Sequence, residues 1–180
     1  MKLRHFRRIP GIRVLSCLIA SGLLAACNYG FSGGGGFPAD VRTIYIEPFG
    51  NETVQVELDQ QLFRKLQDRL PRALGARPGS ETAADAVIRG RILRYEDVAQ
   101  NYRATTGVNQ PGGVDVLTHQ VQITVSVEIV DRKRNVVLWD SQTVVGRGEY
   151  RIDNERDTDA RNKALDHILQ QIIDGAQSQW

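Results

Sequence analysis

Cysteine is almost missing from this chain: two occur in 180 residues, Cys17 and Cys27, and both fall in the first 27 positions. Beyond them the chain has no thiol for a disulfide, a metal or a redox centre, so oxidising surroundings would cost it nothing. Histidine is scarce too. Beyond residue 27 only His119 and His167 remain. No Cys or His cluster has metal-ligand spacing, no G-x-S-x-G elbow occurs, and the carboxylates are scattered, so neither an enzyme nor a bound metal or cofactor is expected. Nor is there a long hydrophobic run. The most apolar stretch, 14–26, holds thirteen residues, whereas a transmembrane helix takes about 20.

The short apolar run has a meaning of its own. Lys2, Arg4, Arg7, Arg8 and Arg13 form a basic head before it, and it ends in small residues; head, run and ending together make a secretory signal. Leu24-Ala25-Ala26-Cys27 resembles the bacterial lipobox. That resemblance implies cleavage before Cys27, a diacylglyceryl group on its thiol and an acyl group on the new amino terminus. Asn28 stands where lipoproteins retained in the inner membrane of enteric bacteria commonly carry Asp, so delivery to the outer membrane is expected. One acyl chain gives marginal, reversible anchoring; two or three on Cys27 would hold the protein permanently.

Removing the signal also removes the positive charge. Five of the 23 Lys and Arg residues and none of the 21 Asp and Glu lie in 1–26, leaving 18 against 21, formally −3. Nucleic-acid binding loses its electrostatic basis. The expected layout is a signal peptide at 1–26, a lipidated Gly-rich tether at 27–40 and one domain at 41–180. Gly33 to Gly36 lead into Phe37-Pro38 and a strand rather than a helix, so they read as a tether and not as a phosphate loop.

Within the domain, 41–49 reads as a strand whose ladder ends at Pro48. A helix follows, capped by Asn51 or Thr53, with Leu58, Leu62, Leu66 and Leu70 on one stripe and a stop before Pro71. In "ADAVIRGRILRYEDV", Ile88 and Ile92 face inward and Arg89, Arg91 and Tyr95 outward; Gly90 marks a close approach by a neighbour. The clearest period-two signal is 117–129. Leu117, His119, Val121, Ile123, Val125, Val127 and Ile129 take one face; Thr118, Gln120, Gln122, Thr124, Ser126 and Glu128 take the other. "DRKRN" turns the chain into a fourth strand whose faces stay open, because Val137/Trp139/Val145 and Val136/Leu138/Val144 are equally apolar. A last helix starts near Asp157 or Thr158 and carries Ala164, Leu165, Ile168, Leu169, Ile172, Ile173 and Ala176 on one side. The order βαβββα predicts an α+β fold, a two-layer α/β sandwich with a four-stranded mixed sheet and two helices on one face. The other sheet face is either solvated or covered by a partner.

"CNYGFSGGGGFP", "VRTIYIEPFGNET", "ADAVIRGRI", the long alternating strand, "VVLW" and the terminal helix, in this order, resemble the LptE family of LPS-assembly lipoproteins. The resemblance implies a domain that plugs an LptD-type outer-membrane β-barrel, assists its assembly and binds lipopolysaccharide. Lipid A phosphates call for converging Arg or Lys. The candidates are the turn Arg132, Lys133 and Arg134, ranked first, and then Arg89 and Arg91. Gln120, Gln122 and Thr124 on the polar row are candidates for contact with the barrel, as are Tyr102 and Arg103 in a 96–115 insertion that is long for a hairpin connection. "IYIEPFGNET" also resembles the opening of periplasmic lipoproteins that activate peptidoglycan synthases or build secretion pores, which is the alternative function.

Overall fold

The computed structural model describes residues 37–107, 110–152 and 156–178, and within these the side chains other than those of 101–117. The signal segment, Cys27 and most of the tether lie outside the described residues. The elements are β1 (Thr43–Ile46), β2 (Gly50–Asn51), α1 (Leu58–Ala73), β3 (Arg77–Pro78), β4 (Ala86–Gly107), β5 (Gln110–Asp131), β6 (Val136–Arg151) and α2 (Asp157–Ser178). They form a mixed sheet in the order β3-β1-β4-β5-β6, with β2 also paired to β4. β1, β2 and β3 run parallel to their partners; β4, β5 and β6 are antiparallel.

The α+β sandwich is present with both helices against one face, but among the described residues the sheet has six strands, not four. Two of the six come from pieces too short to show a period. Pro48 ends β1, and the chain rejoins β4 two residues later, pairing Gly50 and Asn51 with Arg91 and Ile92.

α1 starts and stops later than the local rules predict. Asn51 and Thr53 do not cap it. Asn51 Oδ1 accepts from the Thr53 N–H at 2.9 Å and hydroxyl at 2.8 Å, and Thr53 Oγ1 accepts from the Gln55 N–H at 3.2 Å. Their side chains therefore build a turn ahead of the helix. Pro71 does not end it either, because the stop is one turn further on. Gly75 takes φ +68°, its N–H reaches Arg72 O at 3.1 Å, and the Ala76 N–H reaches Pro71 O at 2.8 Å. Those two bonds are the Schellman closure, which needs a left-handed residue and finds it in glycine.

The core lies between the helices and one sheet face. Leu58, Leu62, Leu66 and Leu70 of α1 and Ala164, Leu165, Ile168, Leu169 and Ile172 of α2 meet Ile44, Ile88, Ile92, Val121, Ile123, Val125 and Ile129, all buried. Each of the leucines, isoleucines and valines contributes about 1.5–3 kcal/mol by leaving water. Phe49 packs over Gly90, where a Cβ would stand 2.5 Å from its ring, so the expected close approach is there.

Two strands change phase. β4 has a register shift between Ile92 and Arg94, and a shift of one residue exchanges the faces. Tyr95 therefore does not point outward as the unbroken alternation predicts: it pairs with Ile123 and packs against the core. β6 shifts twice, opposite Val125/Val127 and Ile129/Val130. Leu138 and Val144 are buried while Val136 and Val137 are exposed, so neither apolar set keeps one face throughout. The 96–115 insertion is not a loop. β4 and β5 stay paired out to Gly107 and Gln110, while β6 ends at Arg151 opposite Thr118, so the last part of the hairpin extends beyond the rest of the sheet as two strands.

Candidate functional site

The basic turn between β5 and β6 is built by an aspartate. Asp131 is buried, and its Oδ1 accepts from the N–H groups of Lys133 at 2.8 Å and Arg134 at 3.1 Å. Asn135 closes the turn at φ 53°. The three cations then splay apart: Arg132 donates to the Glu81 carbonyl, Lys133 Nζ lies 2.5 Å from Asp85 Oδ1, and Arg134 pairs with Asp40.

Asp85 is the centre of this end of the sheet. Lys133 holds its carboxyl well below the usual carboxylate range, helped by the Arg42 N–H and the Thr43 hydroxyl and N–H, all donating to Oδ2. A charged donor and several neutral ones all favour the ionised form.

Arg89 and Arg91 do point outward from β4, as their spacing predicts. Arg89 Nε donates to Glu128 at 2.9 Å, which raises its pKa further, and Arg91 to Glu52 at 2.9 Å. Two shallow grooves cross the outer face here. One, of about 340 Å³, is lined by Glu47, Arg89, Arg91, Ser126, Glu128 and Gln142; the other, of about 310 Å³, by Glu47, Glu81, Val87, Arg89, Val130 and Arg132 among others. They share Glu47 and Arg89. The strand arginines and the first turn residue, distinct clusters in the sequence, thus lie along one track. Lys133 and Arg134 do not line it.

Among the described residues no helix covers this outer face. Gln120, Gln122 and Thr124 are half-buried there, knit to their neighbours by Gln120 Nε2 to Glu149 at 3.3 Å and Arg147 Nε to Gln122 at 3.1 Å. The side chains of Tyr102 and Arg103 lie outside the described residues; their backbones pair with Val116 and Asp115 in the projecting hairpin.

One cluster escapes the sequence reading. On the helix-side face at the base of that hairpin, His119 Nδ1 lies 2.8 Å from Asp97 Oδ1, and the Tyr150 hydroxyl donates to Asp97 Oδ2 at 2.9 Å. Desolvation, and then the bond to Asp97, push the Tyr150 pKa up to about 12. Beside it the Arg161 guanidinium sits 5.8 Å from the Tyr95 ring centroid and 2.6 Å from Asp157. The one sequence signal was a histidine in an apolar row. Asp97 joins it only because the shift in β4 turns residue 97 to the helix side.

Among the described residues no group of three or more His, Cys, Asp or Glu is placed to hold a metal, and no helix is long and apolar enough to cross a membrane.

Among the described residues the architecture is that of an α+β domain, a mixed sheet with two helices on one face and charged side chains on the other. The model of the LptE family, described as lipopolysaccharide-assembly, matches residues 41–176, and the chain belongs to this family. No curated protein sequence matches it. Among solved structures, it is similar to the PelC dodecamer from Paraburkholderia phytofirmans at 15% identity, covering 76% of this chain and 92% of that one, TM-score 0.44. Lipoprotein GNA1162 from Neisseria meningitidis is similar at 12% identity, with 73% and 97% covered and TM-score 0.45. The rare lipoprotein B from Shewanella oneidensis is similar at 16% identity, with 73% and 93% covered and TM-score 0.34.

Proposed function

We propose that this chain is a lipid-anchored outer-membrane lipoprotein that sits in the lumen of an LptD-type β-barrel, supports that barrel's assembly and binds lipopolysaccharide at its basic turn. The reading is carried by the family match across 41–176 on a domain with one polar, helix-free sheet face. The interior of a wide outer-membrane barrel is polar, and the row Gln120, Gln122 and Thr124 offers such a wall hydrogen-bonding groups without exposing the core.

The anchor supports the same arrangement. From Cys27 to Phe37 the chain can reach at most about 36 Å, and Phe37 is buried in the domain. Arg134 pairs with Asp40, so the basic turn belongs to the end of the sheet where the tether enters. That end is the one a lipid on Cys27 would keep near the membrane.

Lipopolysaccharide recognition has to be local, because a formal charge of −3 repels the ligand at long range. Arg132, Arg89 and Arg91 lie along one track, Lys133 and Arg134 follow Arg132 in the turn, and each is held by an oxygen that a lipid A phosphate can replace in kind. Val87 and Val130 give the track a small apolar floor.

Photocrosslinkers at Gln120, Gln122 or Thr124 are expected to capture a large β-barrel protein. Crosslinks only from Gln67 or Gln171, on the helices, would reverse the orientation. Co-purification of a penicillin-binding protein, or of a ring of identical subunits, would instead favour a synthase activator or a secretion-pore component. Cys27→Ser is expected to leave an uncleaved, mislocalised precursor; an unmodified mature terminus on the wild-type protein would remove the anchor.

A further inference from the structure

Among the described residues β6 is the last strand of the sheet on its side, and its outer rim is met by side chains. α2 lies very close to it. A Cβ on Gly146 would stand 2.1 Å from the Ala164 carbonyl oxygen and one on Gly148 2.0 Å from that of Ala160, so glycine is what lets the helix backbone settle on the strand. Lys163, His167 and Gln171, four residues apart, form one row along the helix.

That row runs along the rim of β6. Gln171 Nε2 donates to the Val145 carbonyl at 2.7 Å, the Arg147 N–H donates to His167 Nδ1 at 3.4 Å, and Lys163 Nζ donates to the Glu149 carbonyl at 3.1 Å. The three pairs stay in step because four helix residues advance about 6.0 Å and two strand residues about 6.7 Å. Residues 145, 147 and 149 alternate along the strand, and alternate residues present their backbone groups on the same rim.

Without that row the rim would suit a second copy of the same chain. β6 is 16 residues long. Paired antiparallel to itself about Gly148, it would set Arg147 of each copy opposite Glu149 of the other, two complementary pairs on the exposed face. Long open strand edges invite such pairing, and proteins block it by covering the edge.

We propose that Lys163, His167 and Gln171 guard β6, occupying the rim groups that a second copy would otherwise bond and so keeping the chain single along this edge. The three guard residues lie on α2, outside the groove and the polar row, although Arg147 and Glu149 of the rim also hold Gln122 and Gln120; the readout is the copy number of the free chain, not barrel contact or lipopolysaccharide binding.

The test is the mass per particle of the full-length chain, purified in detergent, at rising concentration. Wild type is expected at one copy, and Lys163→Ala/His167→Ala/Gln171→Ala at two with unchanged far-UV circular dichroism. Adding Arg147→Pro, which removes a rim donor at an edge position where proline is tolerated, should return the triple variant to one copy. A folded triple variant that stays single overturns the proposal, as does a heavier species indifferent to Arg147→Pro. Should the triple variant lose its helical signal, Lys163→Ala/Gln171→Ala, which keeps His167, decides: a growing two-copy fraction supports the guard, and a folded single copy at every concentration overturns it.

Discussion

The two faces of β5 share one backbone and one set of strand neighbours, yet they are held by different forces. On the helix side Val121, Ile123, Val125 and Ile129 are fully buried; one residue along, Gln120, Gln122 and Thr124 remain half-accessible, the two glutamines bonded to side chains of β6. The first face draws its stability from leaving water, which is cumulative and indifferent to direction. The second is made of contacts that each contribute little at a surface and that a partner can exchange for its own. One face therefore sets whether the domain folds; the other is available for what it meets.

The largest effect should come from the buried face. Ile123→Ala removes a fully enclosed side chain and leaves a cavity in the core, so urea unfolding should show a loss of about 2–5 kcal/mol. An equal loss from Gln122→Ala would erase the distinction between the faces. Next comes Gly148→Ala. The added methyl meets the Ala160 backbone, and α2 must lift; about 1–3 kcal/mol is the usual cost of overpacking. A loss below that range, in the same unfolding assay, would mean that the helix yields freely.

Two titrations probe the border between the faces. Tyr150 has its folded pKa raised to about 12 from the ordinary tyrosine value of 10.0, so its contribution is complete below pH 10 and is lost as the pH rises towards 12. Asp97→Asn removes a negative charge and should bring the phenol's absorbance titration back towards its ordinary midpoint. Asp85 has the opposite sign. Its folded pKa is depressed, so its contribution is complete above the ordinary carboxylate pKa, about 3.9, and is lost as the pH falls below that value. Acid unfolding of Lys133→Ala, which removes the largest cause of the depression, should show a smaller loss in that window.

The smallest effect on stability should come from the turn. Arg132→Asp alone should change unfolding by about 0.5 kcal/mol or less, as exposed positions do; adding Lys133→Asp makes a double variant that also sets a carboxylate against Asp85 and loses more. The same double variant should weaken lipopolysaccharide binding, and added salt should weaken the wild-type interaction. Equal affinities would shift the site along the track to Arg89 and Arg91.

Periodicity carried much of the fold. The leucine stripe of α1, the apolar side of α2 and the alternation of β5 all appear in the chain at the positions where the structure buries them, because which side of a regular element is apolar is a local property. The hairpin beyond residue 99 was hidden for the complementary reason. Pro111, Gly112 and Gly113 read as loop, and their pairing depends on a partner strand instead of a pattern. The arginines of the candidate site were legible as clusters, but not the carboxylates that hold them or the grooves that join Arg89 to Arg132.

The sequence by itself determined the nearly thiol-free composition, the basic head and cysteine at the start, the one-sided helices and the polar and apolar rows of β5. Only the tertiary structure decided that β4 changes face after Ile92, that β6 changes face twice, that α1 runs past Pro71 to a closure at Gly75, and that Asp97, His119 and Tyr150 meet. The physical reason is range. A helix stripe or a strand alternation is written in residues two to four apart, whereas a bulge, an ion pair or a shared rim depends on groups that the fold brings together from dozens of residues away.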